Sequence, residues 1–522
     1  MLNQSITNRF GRHLLTLLKR ITLSILSISL ILILVFILFT LIPLTAPLNQ
    51  KDQADTIIIN KVNIVDVIEG KVLDNKQVII KSGIITKIED SEYVDSHTNN
   101  KATIIDGKGQ YLIPGLWDMH SHLAFNEAPQ IAMPLYIANG VMYLRDMQGV
   151  MNIAQDRKTW ALAIENHQLL GPRIIAAADH IVGDNYDTRN VEKVVLKAKE
   201  NPTSFIKIYS QINQERYLKL ATLANEHQVD FAGHYPLSFD PLIAINAGQR
   251  SIEHAHLFID NASAKASVLQ QYYQQRYSEN EQLTITRPTQ IEMISTFEQS
   301  KFDLLTQAMV ENNTYFVPTH VTKRYEAYSH NNEFLLDEKL KYIPFLLKNI
   351  WEGDAQGMKR YEPDSLNQYY ERGLELTGLA RKKGVKILAG TDTYDPYSFP
   401  GFTLHTELQQ LTKAGLSNAQ ALASATILPA SYFGLENKMG SVNVGKKADL
   451  ILLSDNPLTN IEHTQNIKAL IFDGAIYNQE DIKQQKQYVE NNVSGISGMI
   501  MTTKMIVAMF QDNNPEARNS GY

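Results

Sequence analysis

Leu112-Ile113-Pro114-Gly115-Leu116-Trp117-Asp118-Met119-His120-Ser121-His122 is a short apolar run that ends in two histidines spaced i and i+2. In an extended chain, successive side chains point to opposite faces. His120 and His122 therefore project to the same side, where two imidazoles can reach one cation. A bare His-x-His fits two surface histidines beside a turn equally well, so its meaning depends on the rest of the chain.

Four further groups stand near the ends of short apolar segments: Lys207 in Phe205-Ile206-Lys207-Ile208-Tyr209, His234 in Phe231-Ala232-Gly233-His234, His254 in Ser251-Ile252-Glu253-His254, and Asp392 in Ile387-Leu388-Ala389-Gly390-Thr391-Asp392. The order along the chain is His, His, Lys, His, His, Asp. On these residues, and over roughly positions 55–478, the chain resembles the amidohydrolase superfamily of metal-dependent hydrolases, especially its imidazolonepropionase-like and prolidase-like branch. The ordered set is far more specific than any single motif in it. The resemblance implies an α/β fold built on a distorted (β/α)8 TIM barrel. His-x-His would follow strand 1, a carbamylated lysine strand 4, histidines strands 5 and 6, and an aspartate strand 8.

It also implies two divalent metal ions, with zinc the expected element. His120, His122 and Asp392 would hold one ion and His234 and His254 the other. Lys207 decides the count: a free ammonium cannot ligate a cation, whereas carbamylation by carbon dioxide makes it an anionic bridge. A lysine at such a position is ordinarily just an exposed strand residue, and only its neighbours favour the ligand role. The expected reaction is hydrolysis of an amide or peptide-like C–N bond by a hydroxide shared between the metals. A metal brings the pKa of bound water toward about 7. Asp392 would serve as general acid/base, taking the proton and passing it to the departing nitrogen.

Asp118 matches the family's Asp-x-His-x-His element and is expected to orient the site, since metal-bound histidines commonly donate their second N–H to a carboxylate; a strand-end turn aspartate is the plain alternative. His256 repeats the spacing with His254 and is expected beside the ligands or in packing. Tyr209, Tyr235, Arg145, His320 and His405 are candidate substrate contacts, although ordinary packing accounts for each of them.

Composition narrows the classes. With 44% hydrophobic and 20% charged residues the chain can build a large core. Its net charge of −6 gives no reason to expect nucleic acid. The absence of cysteine excludes disulfides, thiolate ligands and a cysteine nucleophile, so any metal must be held by nitrogen and oxygen.

Arg9, Arg12, Lys19 and Arg20 precede an uncharged apolar run at 21–44. A helix of roughly 20 apolar residues spans a bilayer, and upstream basic residues keep the N-terminus cytoplasmic. The expectation is a signal anchor with the enzyme outside the cytoplasm; a cleaved signal peptide, giving a secreted enzyme, is the competitor.

The expected division is a basic N-terminus 1–20, a span 21–44, a linker 45–54, a β-sandwich part 55–112, the barrel 113–437, a second sandwich part 438–478 and a tail 479–522. Positions 55–105 and the segment from Gly440 onward read as short β-runs. The resemblance pairs them into one small discontinuous β-sandwich, with Gly445-Lys446-Lys447-Ala448-Asp449-Leu450 as its mark. Between them, strand-like and helical runs alternate as in parallel β/α units, with a strand expected at 385–389. The long stretches 257–313 and 322–373, rich in tyrosine, are expected to be helices over the barrel mouth. The apolar 499–510 is too short to span a membrane and either lies on its surface or packs on the barrel.

The expected partners are a small-molecule amide or dipeptide, the membrane through the N-terminal helix, and a second copy in a homo-oligomer. Two other readings remain open: an imidazolonepropionase-like hydrolase of cyclic amides with one metal, and a catalytically silent anchored scaffold.

Overall fold

The computed structural model describes residues 2–91, 102–123, 125–147, 154–183, 190–201, 203–278 and 283–511. The side chains of Arg9 and Arg12 and the end of the expected tail, from residue 512, lie outside the described residues. Strands β1 (Thr56–Asp66), β2 (Lys71–Lys81), β3 (Ile84–Asp90), β4 (Ala102–Asp106) and β5 (Tyr111–Pro114) come first. Seven follow: β6 (Leu116–Ser121), β7 (Val141–Asp146), β8 (Arg173–Val182), β9 (Ser204–Ile208), β10 (Phe231–Gly233), β11 (Ser251–Glu253) and β12 (Tyr315–Val317). The last three are β13 (Leu450–Leu453), β14 (Ile467–Phe472) and β15 (Ala475–Asn478).

The opening and closing β-segments share one sheet, ordered β15-β14-β13-β5-β1-β2-β3, with β4 pairing β1. Antiparallel pairing of β5 with β13 joins the two ends of the chain. Ile57, Ile59, Val62 and Ile64 pack in one core with Leu450, Leu452 and Ile471. Asp449 ties this sheet to the barrel: its carboxylate accepts from Tyr143 Oη at 2.6 Å on β7 and from Arg173 Nε at 3.2 Å on β8. Its backbone carbonyl accepts from Gly115 N at 2.8 Å, one residue before β6 begins.

β6 to β12 form a parallel sheet in chain order and nearly close into a barrel. β6 and β7 are buried along their whole length, as strands covered on both faces must be. In place of the regular strand expected at 385–389 there is an isolated bridge between Ile387 and Phe316. This segment still fills the eighth position. Phe316 N donates to Lys386 O and Leu388 N to Phe316 O, both at 2.9 Å, while Met119 N donates to Ala389 O at 2.9 Å and Thr391 N to His120 O at 3.0 Å. The segment stays beside β6 past Asp392, which has a left-handed backbone (φ 56°): Thr393 forms a second isolated bridge with Ser121. Gly390 permits the close approach: a Cβ there would lie 2.8 Å from the His120 backbone nitrogen.

The long insertions are helical, with helices including Ala266–Tyr277, Gln299–Glu311, His320–Tyr328, Phe345–Met358 and Pro363–Lys382. The N-terminal helix Leu2–Leu41 contains a 27-residue stretch, Leu15–Leu41, long and apolar enough to cross a membrane and 0% buried. It begins earlier than the expected span and stops at Leu41, because Pro43 disfavours helical backbone at the residue before it. After the closing sheet come the helices Gln479–Val493 and Gly495–Gln511.

Candidate metal centre

His120 and His122 flank the end of β6 with ring centroids 5.4 Å apart, as the two-residue period requires. Asp392, carried by the eighth segment, lies between the histidines. Its Oδ1 is 2.9 Å from His122 Nε2 and 3.2 Å from His120 Nε2, and its Oδ2 is 3.4 Å from His254 Nδ1. His254, just past β11, places its Nε2 3.0 Å from Nε2 of His234, just past β10. Lys207 is buried on β9, the neighbour of β10. The structure therefore gathers all five sequence-identified histidine and aspartate groups at the carboxyl ends of barrel strands, with Lys207 on the adjoining strand. Donor atoms of His120, His254 and Asp392 lie within 4.8 Å of one another. That trio cuts across the expected partition, which paired His254 only with His234.

Local backbone makes this convergence feasible. His254 and Asp392 have positive φ, 76° and 56°, unfavourable for residues with a Cβ and costing roughly 1–3 kcal/mol each. Gly233, immediately before His234, has φ 136°, and a Cβ there would meet Ile208 O at 2.4 Å. Only glycine fits between β10 and β9 at that point.

The hydrogen-bond partners fix the histidine tautomers. Glu253 is fully buried, and its Oε1 accepts from Arg145 Nη2 at 2.8 Å. Burial alone would raise its pKa, but Arg145 and His120 outweigh it and hold the carboxyl below its ordinary value. Ionised Glu253 can only accept, so His120 Nδ1 at 2.9 Å must carry a proton. In the neutral imidazole Nε2 is then bare, and it faces Asp392 Oδ1 at 3.2 Å without hydrogen-bond geometry. His234 Nδ1 similarly faces Ile208 O at 3.3 Å, which leaves its Nε2 bare towards His254. Two imidazole nitrogens 3.0 Å apart need a proton or a cation between them. These residues fit a divalent cation with nitrogen and oxygen ligands.

The electrostatics divide the histidines: burial acts to lower the His120 pKa, but Asp392 and Glu253 overcome it and raise it above 6.5. Burial pushes the His234 pKa down to about 3, helped by the charge of Lys207, and holds His254 well below 6.5, so both stay neutral. For Asp392, burial acts to raise the pKa, but His120, His122 and His254 overcome it and hold the carboxyl well below 3.8. Burial pulls Lys207 below 10.5 against the opposing charges of Asp392 and Glu253, which makes a neutral amine more accessible.

The other candidates take different places. Asp118 does not accept from an imidazole: its Oδ1 accepts from the backbone N–H groups of His120 and Thr391 at 3.2 and 3.1 Å, and its Oδ2 from the Thr391 hydroxyl at 2.6 Å. It pins β6 to the eighth segment, while Glu253 takes the expected histidine-orienting position. Arg145 is buried beneath the site as the partner of Glu253, not exposed to substrate. Tyr209 packs edge-on against His234 with centroids 5.0 Å apart. Tyr235 donates to Asp260 at 2.8 Å and lies 5.3 Å from His256, which is stacked parallel to His254 at 5.9 Å. His320 is buried at the start of the helix His320–Tyr328. His405 is remote, with its Nδ1 at 2.9 Å from Thr464 Oγ1 and its Nε2 at 3.0 Å from Asn139 O.

Glu253 and Thr319, whose hydroxyl is 2.9 Å from His254 Nδ1, are the contributors that the sequence reading missed. A signal for Glu253 existed: an acid in the apolar Ser251-Ile252-Glu253 and a base in Tyr143-Leu144-Arg145 are buried charges that require a partner.

Comparison with known proteins agrees with this architecture. A Xaa-Pro dipeptidase structure with methionine in its active site superposes with a TM-score of 0.58 at 20% identity, covering 81% of this chain and 100% of that one. A bottromycin amidohydrolase superposes with a TM-score of 0.62 at 18% identity, covering 86% and 92%. In sequence, the chain is 34% identical to the imidazolonepropionase of Symbiobacterium thermophilum over 90 residues, 17% of this chain and 20% of the relative. It is 44% identical to the 5'-deoxyadenosine deaminase of Methanobrevibacter smithii over 54 residues, 10% and 12%. The chain thus spans about a fifth and an eighth of the lengths of these curated relatives. A family-level match runs from β5 into β15 and takes in every site residue described above: over residues 111–477 the sequence fits the amidohydrolase family model, and the chain belongs to the amidohydrolase family.

Proposed function

We propose that this protein is a metal-dependent hydrolase of amide or peptide-like C–N bonds, with its site at the carboxyl ends of the barrel strands. The observation that carries the reading is the convergence of the His120, His254 and Asp392 donor atoms within 4.8 Å, with His122 and His234 in contact with the same cluster. His120, His122, His234, His254 and Asp392 would hold two divalent ions, zinc by the chemistry of an all nitrogen and oxygen set, with carbamylated Lys207 between them. When bound, such ions supply a water acidic enough to act as nucleophile near neutral pH and polarise the substrate carbonyl.

The chain's own groups do the rest. Asp392 accepts the proton of the attacking water and returns it to the leaving nitrogen. Glu253, fixed by Arg145, holds His120 in the tautomer that exposes Nε2. Tyr209, against His234, borders the space for substrate. The substrate class we favour is a dipeptide or N-acyl amino acid, and the Xaa-Pro dipeptidase likeness in fold supports it. Leu15–Leu41 would anchor the enzyme with its catalytic part outside the cytoplasm. The divisions 55–112 with 438–478 and 113–437 would serve as small β-domain and barrel, and the 479–522 tail would follow them.

The test is metal content of the full chain in detergent with bicarbonate present, beside Lys207→Ala, together with turnover on dipeptides and N-acyl amino acids. Two ions falling to one or none in the variant supports the bridged pair. One ion unaffected by the variant supports the mononuclear cyclic-amide reading. No ion and no turnover supports the silent scaffold.

A further inference from the structure

The helix Gly495–Gln511 is apolar on two opposite sides, and the protein covers only one of them. Met501 and Met505, spaced i and i+4, are 1% and 0% exposed. Ile496 and Met499, spaced i and i+3 on the other side, are 69% and 59% exposed. A helix apolar on both sides belongs in an apolar environment on both sides.

Its position supplies that environment. The helix packs against Leu2–Leu41, and Lys504 Nζ donates to Thr40 O at 3.0 Å, one residue before that helix ends. At about 1.5 Å per residue, the 27 residues of Leu15–Leu41 measure roughly 40 Å against a hydrocarbon core of about 30 Å, so its terminal turns lie outside the core. Lys504 marks the same level, because a lysine ammonium is costly inside hydrocarbon and stable at its edge. The exposed side of Gly495–Gln511 is therefore continuous with the lipid-facing surface of the anchor where that surface meets water. The helix Phe345–Met358 packs on Gly495–Gln511 and exposes Phe345 at 65%. Its Trp351 lies 5.6 Å from Tyr397, which follows Asp392 by five residues.

We propose that Gly495–Gln511 is an interfacial helix that inserts its Ile496 and Met499 side into the phospholipid bilayer beside the anchor. It gives the barrel a second membrane contact beside the segment 45–50, which is already hydrogen-bonded to the protein through Gln130 to Thr45 O and Tyr488 to Ala46 O, so that the catalytic part sits against the bilayer surface in one orientation. This rests on Leu15–Leu41 being a spanning anchor.

The chain has no cysteine, so single cysteines can be labelled without background. Ile496→Cys and Met499→Cys, each in the full chain, carry an environment-sensitive fluorophore in phosphatidylcholine proteoliposomes. Leu30→Cys serves as the anchor control and Val444→Cys, at a position 58% exposed in the turn before β13, as the aqueous control. Quenching is read with a nitroxide on the lipid chains and with iodide in the buffer. The expected result is several-fold stronger lipid quenching at 496 and 499 than at 444, with protection from iodide. Lipid quenching at position 30 with iodide access at 496 and 499 overturns the interfacial helix and leaves the anchor standing. Protection at 496 and 499 from both quenchers means that a second protein copy covers them, and also overturns it. No lipid quenching at position 30 overturns the anchor and the inference with it.

Discussion

Glu253 stands between His120 and Arg145, with one carboxylate oxygen 2.9 Å from the imidazole Nδ1 and the other 2.8 Å from the guanidinium. All three groups are buried, so Glu253 sets which ring nitrogen of His120, a proposed metal ligand, carries the proton. Glu253→Gln keeps the shape and removes the charge. Stranding Arg145 should destabilise the fold by about 3–5 kcal/mol, and metal affinity should fall roughly 10–100-fold. Denaturant unfolding and metal titration check both, and an unchanged affinity would remove Glu253 from its orienting role.

Asp392 touches three histidines, and the proton-transfer role proposed for it is separable from its proposed ligand role. Asp392→Asn retains a carbonyl oxygen at the same place but no longer has a basic carboxylate. The expected outcome is retained metal and a kcat lowered by about 10²–10⁴-fold. Metal analysis beside steady-state kinetics reads this, and turnover equal to the parent protein would rule out proton transfer by Asp392.

Glu407 makes the fold sensitive to alkali. It is fully buried and accepts from the backbone nitrogens of His320 and Val321 at 3.0 Å each. Burial pushes its pKa from 4.5 up to about 8, against the opposing effect of those two donors. The folded chain holds a proton here that the unfolded chain has lost, so the associated stability is full below pH 4.5 and disappears as pH rises through about 8. Glu407→Gln should flatten the decline in Tm between about pH 5 and about pH 9. An identical slope in the variant would contradict the assignment.

The sequence by itself determined the kinds of donor and their directions. The two-residue period put His120 and His122 on one side, apolar runs placed His234 and His254 at strand ends, and the lack of cysteine confined any metal to nitrogen and oxygen. Those are local facts, because strand geometry and composition act over a few residues. Tertiary structure alone decided which donors meet and what holds them. His122 and Asp392 are 270 positions apart and His120 and Glu253 are 133 apart. The eighth barrel position, the histidine-orienting role of Glu253 in place of Asp118, and the placing of Lys504 against Thr40 all depend on the same kind of closure. Each buried charge or bare backbone group takes the nearest partner that the closed barrel brings to it, and periodicity along the chain carries no information about such distant neighbours.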